Sequence, residues 1–134
     1  MTQNDLQVKK NRAVLVGLWA HRLSVEENAT EETMEELADL LETTRVKAVY
    51  LVPTFGNPGG KTLSEARRRR LVELAKKYDF VILEDDPYGE ISFTDAVRRP
   101  LYQHAVELGC EDQVVYTSTF SKILAPGMRI GWIV

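Results

Sequence analysis

Thr119, Ser121 and Lys122 stand together in Thr119-Phe120-Ser121-Lys122, and Arg129 follows seven residues after the lysine in Ala125-Pro126-Gly127-Met128-Arg129-Ile130-Gly131-Trp132. A lysine amine is the group that forms a Schiff base with a carbonyl cofactor. Two hydroxyls and an arginine fork are what a phosphate dianion needs. A lysine after a core strand is more often a solvated side chain, so the tetrapeptide alone does not decide. Two other segments bear on it: Tyr50-Leu51-Val52-Pro53-Thr54-Phe55-Gly56-Asn57-Pro58-Gly59-Gly60 and Val81-Ile82-Leu83-Glu84-Asp85-Asp86-Pro87-Tyr88-Gly89-Glu90. The first holds an Asn-Pro turn, and the second ends an apolar run on carboxylates with a tyrosine three residues beyond Asp85.

These groups need strands that end where the motifs begin. Lys47 to Val52 reads as a strand, Phe80 to Leu83 as a continuous apolar strand covered on both faces, and Val114 to Thr117 as another buried strand. Ala13 to Leu18 is a further apolar run with a polar loop after it, from Ala20 to Asn28. Between them lie helical patterns. From Thr30, Met34, Leu37, Ala38 and Leu41 recur at helical spacing, with Glu31 and Glu32 at the positive end. Thr62 with Glu65 has the form of a capping box for a helix striped by Leu71, Leu74, Ala75 and Tyr78. Pro100 to Leu108 is a short helix stopped by Gly109. Alternating strands and helices predict an α/β fold with a mostly parallel sheet and helices on both faces. The run after Pro126-Gly127 follows too closely for a helical crossover and is expected to be antiparallel, with Gly127 serving the turn. Ligands of open α/β sheets bind outside the carboxyl ends of the strands. Asn57, Asp85 and Thr119 to Lys122 all fall at that edge.

Taken together, the three segments resemble, in order, the Asn-Pro-x-Gly turn, the Asp-x-x-Tyr strand end and the Ser/Thr-x-Ser-Lys turn of class I/II aminotransferases, which are fold-type I pyridoxal-phosphate enzymes. The similarity runs from about Val46 to Val134, and its wording is most similar to the subgroup of 2-aminoadipate and kynurenine aminotransferases. The resemblance implies pyridoxal 5'-phosphate as cofactor and an amino acid and a 2-oxo acid as substrates. It implies that Lys122 holds the cofactor as a Schiff base and then moves the substrate's α-proton. By the same resemblance Asp85, chosen over Asp86 by the Asp-x-x-Tyr spacing, pairs with the pyridine nitrogen. Tyr88 and Asn57 bond the phenolic oxygen, and Thr119, Ser121 and Arg129 bind the phosphate. Gly59 stands where threonine is usual and Gly56 where glutamine is common, and these glycines are expected to loosen the Asn57 loop. The family also implies a homodimer and sequence beyond both ends. The 134 residues then read as one partial cofactor-binding large domain, inactive in isolation. A lyase or decarboxylase of the same fold, or the aminotransferase-like effector domain of a transcription regulator, would share the three motifs.

Composition fits this frame. With 134 residues, 44% hydrophobic and 28% charged, the chain has the size and balance of one globular domain. A net charge of -3 provides no electrostatic case for nucleic acid or an acidic membrane. The single cysteine, Cys110, excludes an internal disulfide and offers no metal cluster. A polar start and the lack of a long apolar run make the cytoplasm the expected location. His104 shares a helix face with Leu101, Ala105 and Leu108 and is expected to be packed. Arg67 to Arg70 cover a full helical turn and are expected to be solvated.

Overall fold

A computed structural model describes residues 31–93 and 98–134. The expected strand at 13–18 and the loop at 20–28 lie outside them. In chain order the elements are α1 (Glu31–Thr43), β1 (Ala48–Leu51), α2 (Glu65–Tyr78), β2 (Val81–Asp85), α3 (Leu101–Leu108), β3 (Val114–Thr119), the one-turn α4 (Phe120–Ile123) and β4 (Gly131–Ile133). Short 3-10 turns occupy Gly89–Ile91, Glu111–Gln113 and Pro126–Met128.

The sheet order is β1-β2-β3-β4. The first two pairings are parallel and the last is antiparallel, as the short connection before β4 requires. The parallel strands end together, with Leu51 opposite Glu84 and Asp85 opposite Thr117.

Side chains alternate along each strand, so each strand feeds two faces. Val49, Leu51, Ile82 and Val114 are buried against Leu71, Val72, Leu74 and Ala75 of α2 and Leu101 and Ala105 of α3. Met34, Leu37 and Leu41 of α1 extend this core. The opposite face carries Tyr50 and Leu83, 53% and 38% exposed. Gly109 ends α3 in the left-handed conformation at φ 63°, as a glycine after a helix commonly does.

Two local expectations fail. Thr62 and Glu65 make no capping box: Ser64 precedes α2 without a side-chain cap, and Thr62 Oγ1 instead accepts the Phe55 N–H at 3.0 Å. Glu65 is drawn away by Arg99, whose N–H and Nε lie 3.0 and 3.1 Å from its carboxylate. The arginine run is also not uniformly solvated. Arg68 is 1% exposed and occupies the α2 stripe with Leu71, Val72 and Ala75. His104 is buried as expected, with Nε2 3.1 Å from Glu65.

Candidate active site

Three consecutive carboxylates close β2, and the alternation of the strand separates their roles. Glu84 is buried on the helix-covered face, where its two oxygens accept the Leu101 and Tyr102 N–H groups at 2.9 and 3.0 Å. These N–H groups begin α3, whose Pro100 N-cap supplies no side-chain acceptor, so Glu84 caps the helix from a neighbouring strand. Burial pushes its carboxyl up to about 7, against those two bonds and the Arg68 charge.

Asp86 shares the covered side. It is buried, its carboxyl is raised by burial, and its side chain accepts the Gly89 N–H. Its backbone is held on both sides, by Asp86 N–H to the Thr117 carbonyl at 2.9 Å and by Ser118 Oγ to the Asp86 carbonyl at 2.8 Å. A Cβ at position 89 would overlap the Asp86 carboxylate, so Gly89 keeps that bond possible. Asp85 alone of the three projects to the open face, where the Tyr50 hydroxyl donates to its Oδ2 at 2.6 Å.

Beyond β3, Thr119 caps α4: its Oγ1 accepts the Ser121 N–H at 3.1 Å and lies 3.0 Å from Ser121 Oγ. The same Oγ1 is 3.0 Å from the Ile130 carbonyl, which ties the turn to β4. Lys122 is exposed, and its Nζ lies 6.0 Å from the centre of the Tyr88 ring. Two segments more than thirty residues apart thus meet over the end of the sheet.

Arg129 is exposed and lies two residues before Gly131, which pairs with Thr119, so the register puts it level with Ser121. Its backbone is left-handed, at φ 53°. Gly127 lies within the Pro126–Met128 turn, as expected, without a positive φ and with no neighbour within 4 Å of an added Cβ, and Arg129 closes that turn. Such a conformation costs a non-glycine residue roughly 1 kcal/mol.

Asn57 sits on an exposed turn that the sequence led us to expect loose. It is instead closed, by Gly56 N–H to the Lys61 carbonyl at 2.9 Å and Gly60 N–H to the Gly56 carbonyl at 2.6 Å, with Gly60 at φ 64°. Arg68 holds the base of that segment. Its Nη2 donates to the Pro53 carbonyl at 2.9 Å and to Thr54 Oγ1 at 2.8 Å, and its Nε to the Leu63 carbonyl at 3.1 Å. Among the described residues no hydrogen bond joins Asn57 or Arg129 to the other site side chains.

The sequence reading missed Tyr50 and Arg68. Arg68 was detectable, because it recurs three, four and seven residues before buried apolar positions. Tyr50 had no comparable signal, since an aromatic residue in a strand is ordinarily packing.

The groups at this edge are a carboxylate, an amine 6.0 Å from the centre of a phenol ring and a linked pair of hydroxyls, with Arg129 level with Ser121 in the strand register. Their chemistry fits a flat, phosphate-bearing ring with a basic nitrogen and a carbonyl. Among the described residues no group of three or more His, Cys, Asp or Glu side chains could hold a metal ion. No helix there is long and apolar enough to cross a membrane.

Comparison with known proteins agrees with this chemistry. The family model described as aminotransferase class I and II matches residues 15–134. Aromatic-amino-acid aminotransferase 1 of Thermococcus litoralis is 50% identical over 103 residues, 77% of this chain and 23% of that protein. An uncharacterized HTH-type transcriptional regulator of Escherichia coli, YjiR, is 39% identical over 101 residues, 75% of this chain and 21% of its own. The crystal structure of the alpha-aminoadipate aminotransferase LysN from Thermus thermophilus, complexed with N-(5'-phosphopyridoxyl)-L-leucine, matches with a TM-score of 0.71 and 35% identity. That match covers 75% of this chain and 26% of the other. The chain spans about a quarter of the length of these relatives.

Proposed function

The chain belongs to the class I and II aminotransferase family, and on that premise we propose that it serves a pyridoxal 5'-phosphate-dependent transfer of an amino group from an amino acid to a 2-oxo acid. When bound, the cofactor supplies a carbonyl and a protonated ring that accepts electrons from the substrate's α-carbon. Lys122 is the anchoring amine, and once freed it moves a proton at that α-carbon. Asp85 holds the proton on the ring nitrogen. Tyr88 and Asn57 hydrogen-bond the ring's phenolic oxygen and keep it in register. Thr119, Ser121 and Arg129 hold the phosphate, the hydroxyls through O–H donors and the arginine through its charged fork.

The observation that carries this reading is the approach of Lys122 Nζ to the Tyr88 ring beside the only β2 carboxylate on the open face. The working form proposed is a cytoplasmic homodimer.

The experiment is to add pyridoxal 5'-phosphate, reduce with borohydride and map the peptides by mass. The expected product carries pyridoxyl on Lys122. A label on Lys61, Lys76 or Lys77 instead would show that the wrong lysine has been assigned.

The similarity to YjiR favours a second reading, in which this fold serves as the effector part of a regulator. In the full-length protein, cofactor attachment at Lys122 without amino transfer to any 2-oxo acid would support the regulator, and amino transfer would support the enzyme.

A further inference from the structure

We propose that Tyr50 is a positioning residue for Asp85, fixing the carboxylate by a hydrogen bond to one oxygen so that the other is left for the cofactor's ring nitrogen. This rests on the cofactor reading above.

The geometry starts from strand register. Tyr50 of β1 pairs with Leu83, so Asp85 lies two residues further toward the carboxyl edge on the adjacent parallel strand and on the same face. Such diagonal neighbours lie within reach of a long aromatic side chain. Tyr50 spans that diagonal: its hydroxyl is 2.6 Å from Asp85 Oδ2, within the short range of an O–H donor bonded to a charged acceptor. A half-exposed tyrosine gains little by packing and could equally turn its hydroxyl to water. The bond to Asp85 gives that side chain a fixed direction.

A carboxylate offers two acceptor oxygens and rotates about its terminal bond unless something holds it. With Oδ2 taken, the rotation is restricted and Oδ1 is presented from a defined plane. Asp85 has no other side-chain hydrogen bond among the described residues, and the same bond, with burial and the Asp85 charge adding to it, pushes the Tyr50 hydroxyl up to about 12. Phenylalanine at this position would keep the ring and lose the donor.

The first test needs no cofactor. In the cofactor-free protein, Tyr50 is titrated by ring-carbon NMR, with Tyr50→Phe used to assign its signal. Ionisation near pH 12 is expected, falling back toward 10 in Asp85→Asn. Ionisation near 10 in the unaltered protein would overturn the proposal.

The second test uses the full-length protein loaded with cofactor. Tyr50→Phe should lower kcat about tenfold, equivalent to about 1.4 kcal/mol, with KM changed by less than about twofold. Tyr50→Phe/Asp85→Asn should be no slower than Asp85→Asn alone, because Tyr50 acts through that carboxylate. Fully additive losses, or a Tyr50→Phe variant as fast as the unaltered protein, would overturn the role. The two readings fail separately. If Lys122 takes no pyridoxyl group, the cofactor reading falls and the role falls with it, whatever the titration. If Lys122 is labelled and Tyr50 ionises near 10, only the Tyr50 role falls.

Discussion

Asp85 and Asp86 differ by one position and by nearly everything physical. Asp85 projects to the open face with a tyrosine on one oxygen, whereas Asp86 is buried beside Arg68 and accepts the Gly89 N–H. In Asp85→Asn a neutral amide cannot hold the pyridinium proton as a carboxylate does. In the full-length protein we expect that variant to keep cofactor binding and lose most turnover, read as a fall in kcat at unchanged cofactor Kd. Asp86→Asn should do the reverse, losing about 1–3 kcal/mol of stability through its disturbed buried hydrogen bond while kcat stays within about twofold. Thermal unfolding and steady-state rates on both variants check the pair, and a crippled kcat in Asp86→Asn alone would reverse the assignment.

At the scale of elements, residues recruited from a distance decide what local pattern cannot. Glu84 caps α3 from β2, and Arg68 ties α2 to the Pro53–Leu63 segment. The folded protein raises the Glu84 carboxyl to about 7 from an ordinary value of 4.5. A group raised in this way contributes stability that is fully present below about 4.5 and is lost as pH rises through about 7. We therefore expect Glu84→Gln to flatten the part of the Tm decline that falls between pH 4.5 and 7. A Tm profile measured across that window checks it. Gly131 is the tightest point of the β3–β4 pairing, since an added Cβ would stand 2.7 Å from the Ser118 carbonyl oxygen. Gly131→Ala should force β4 away from β3 and so separate Arg129 from Thr119 and Ser121. The measurable result is weaker cofactor binding with the Lys122 label retained.

Among the described residues, the face covered by α1, α2 and α3 holds the buried apolar core. Leu74 is fully buried within the core of the covered face. Leu74→Ala should cost about 2–5 kcal/mol in urea unfolding. The strands and their order of ending were legible in the sequence because Phe80 to Leu83 and Val114 to Tyr116 are unbroken apolar runs. The antiparallel last strand was legible because its connection is too short for a crossover. The capping box was not, because Arg99 and the Phe55 N–H compete for Glu65 and Thr62 from distant parts of the chain. Arg68 was misjudged because a run of four arginines looks solvated unless its helical period is followed. The closed Asn57 turn was invisible for a related reason: its glycines are flexible in isolation and are held by backbone bonds to Lys61 and Gly56.

The alternation along β2 has a consequence for how such a protein can vary. Substitutions among Val81, Ile82 and Leu83 change packing by increments, and compensating changes elsewhere can absorb them. Removing any one of them shifts every later residue to the opposite face. Glu84 would then stand opposite Tyr50, Asp85 would be driven under α3, and Asp86 would take the diagonal place beside Tyr50. Descendants of this chain are therefore freer to change what β2 is made of than how many residues it has.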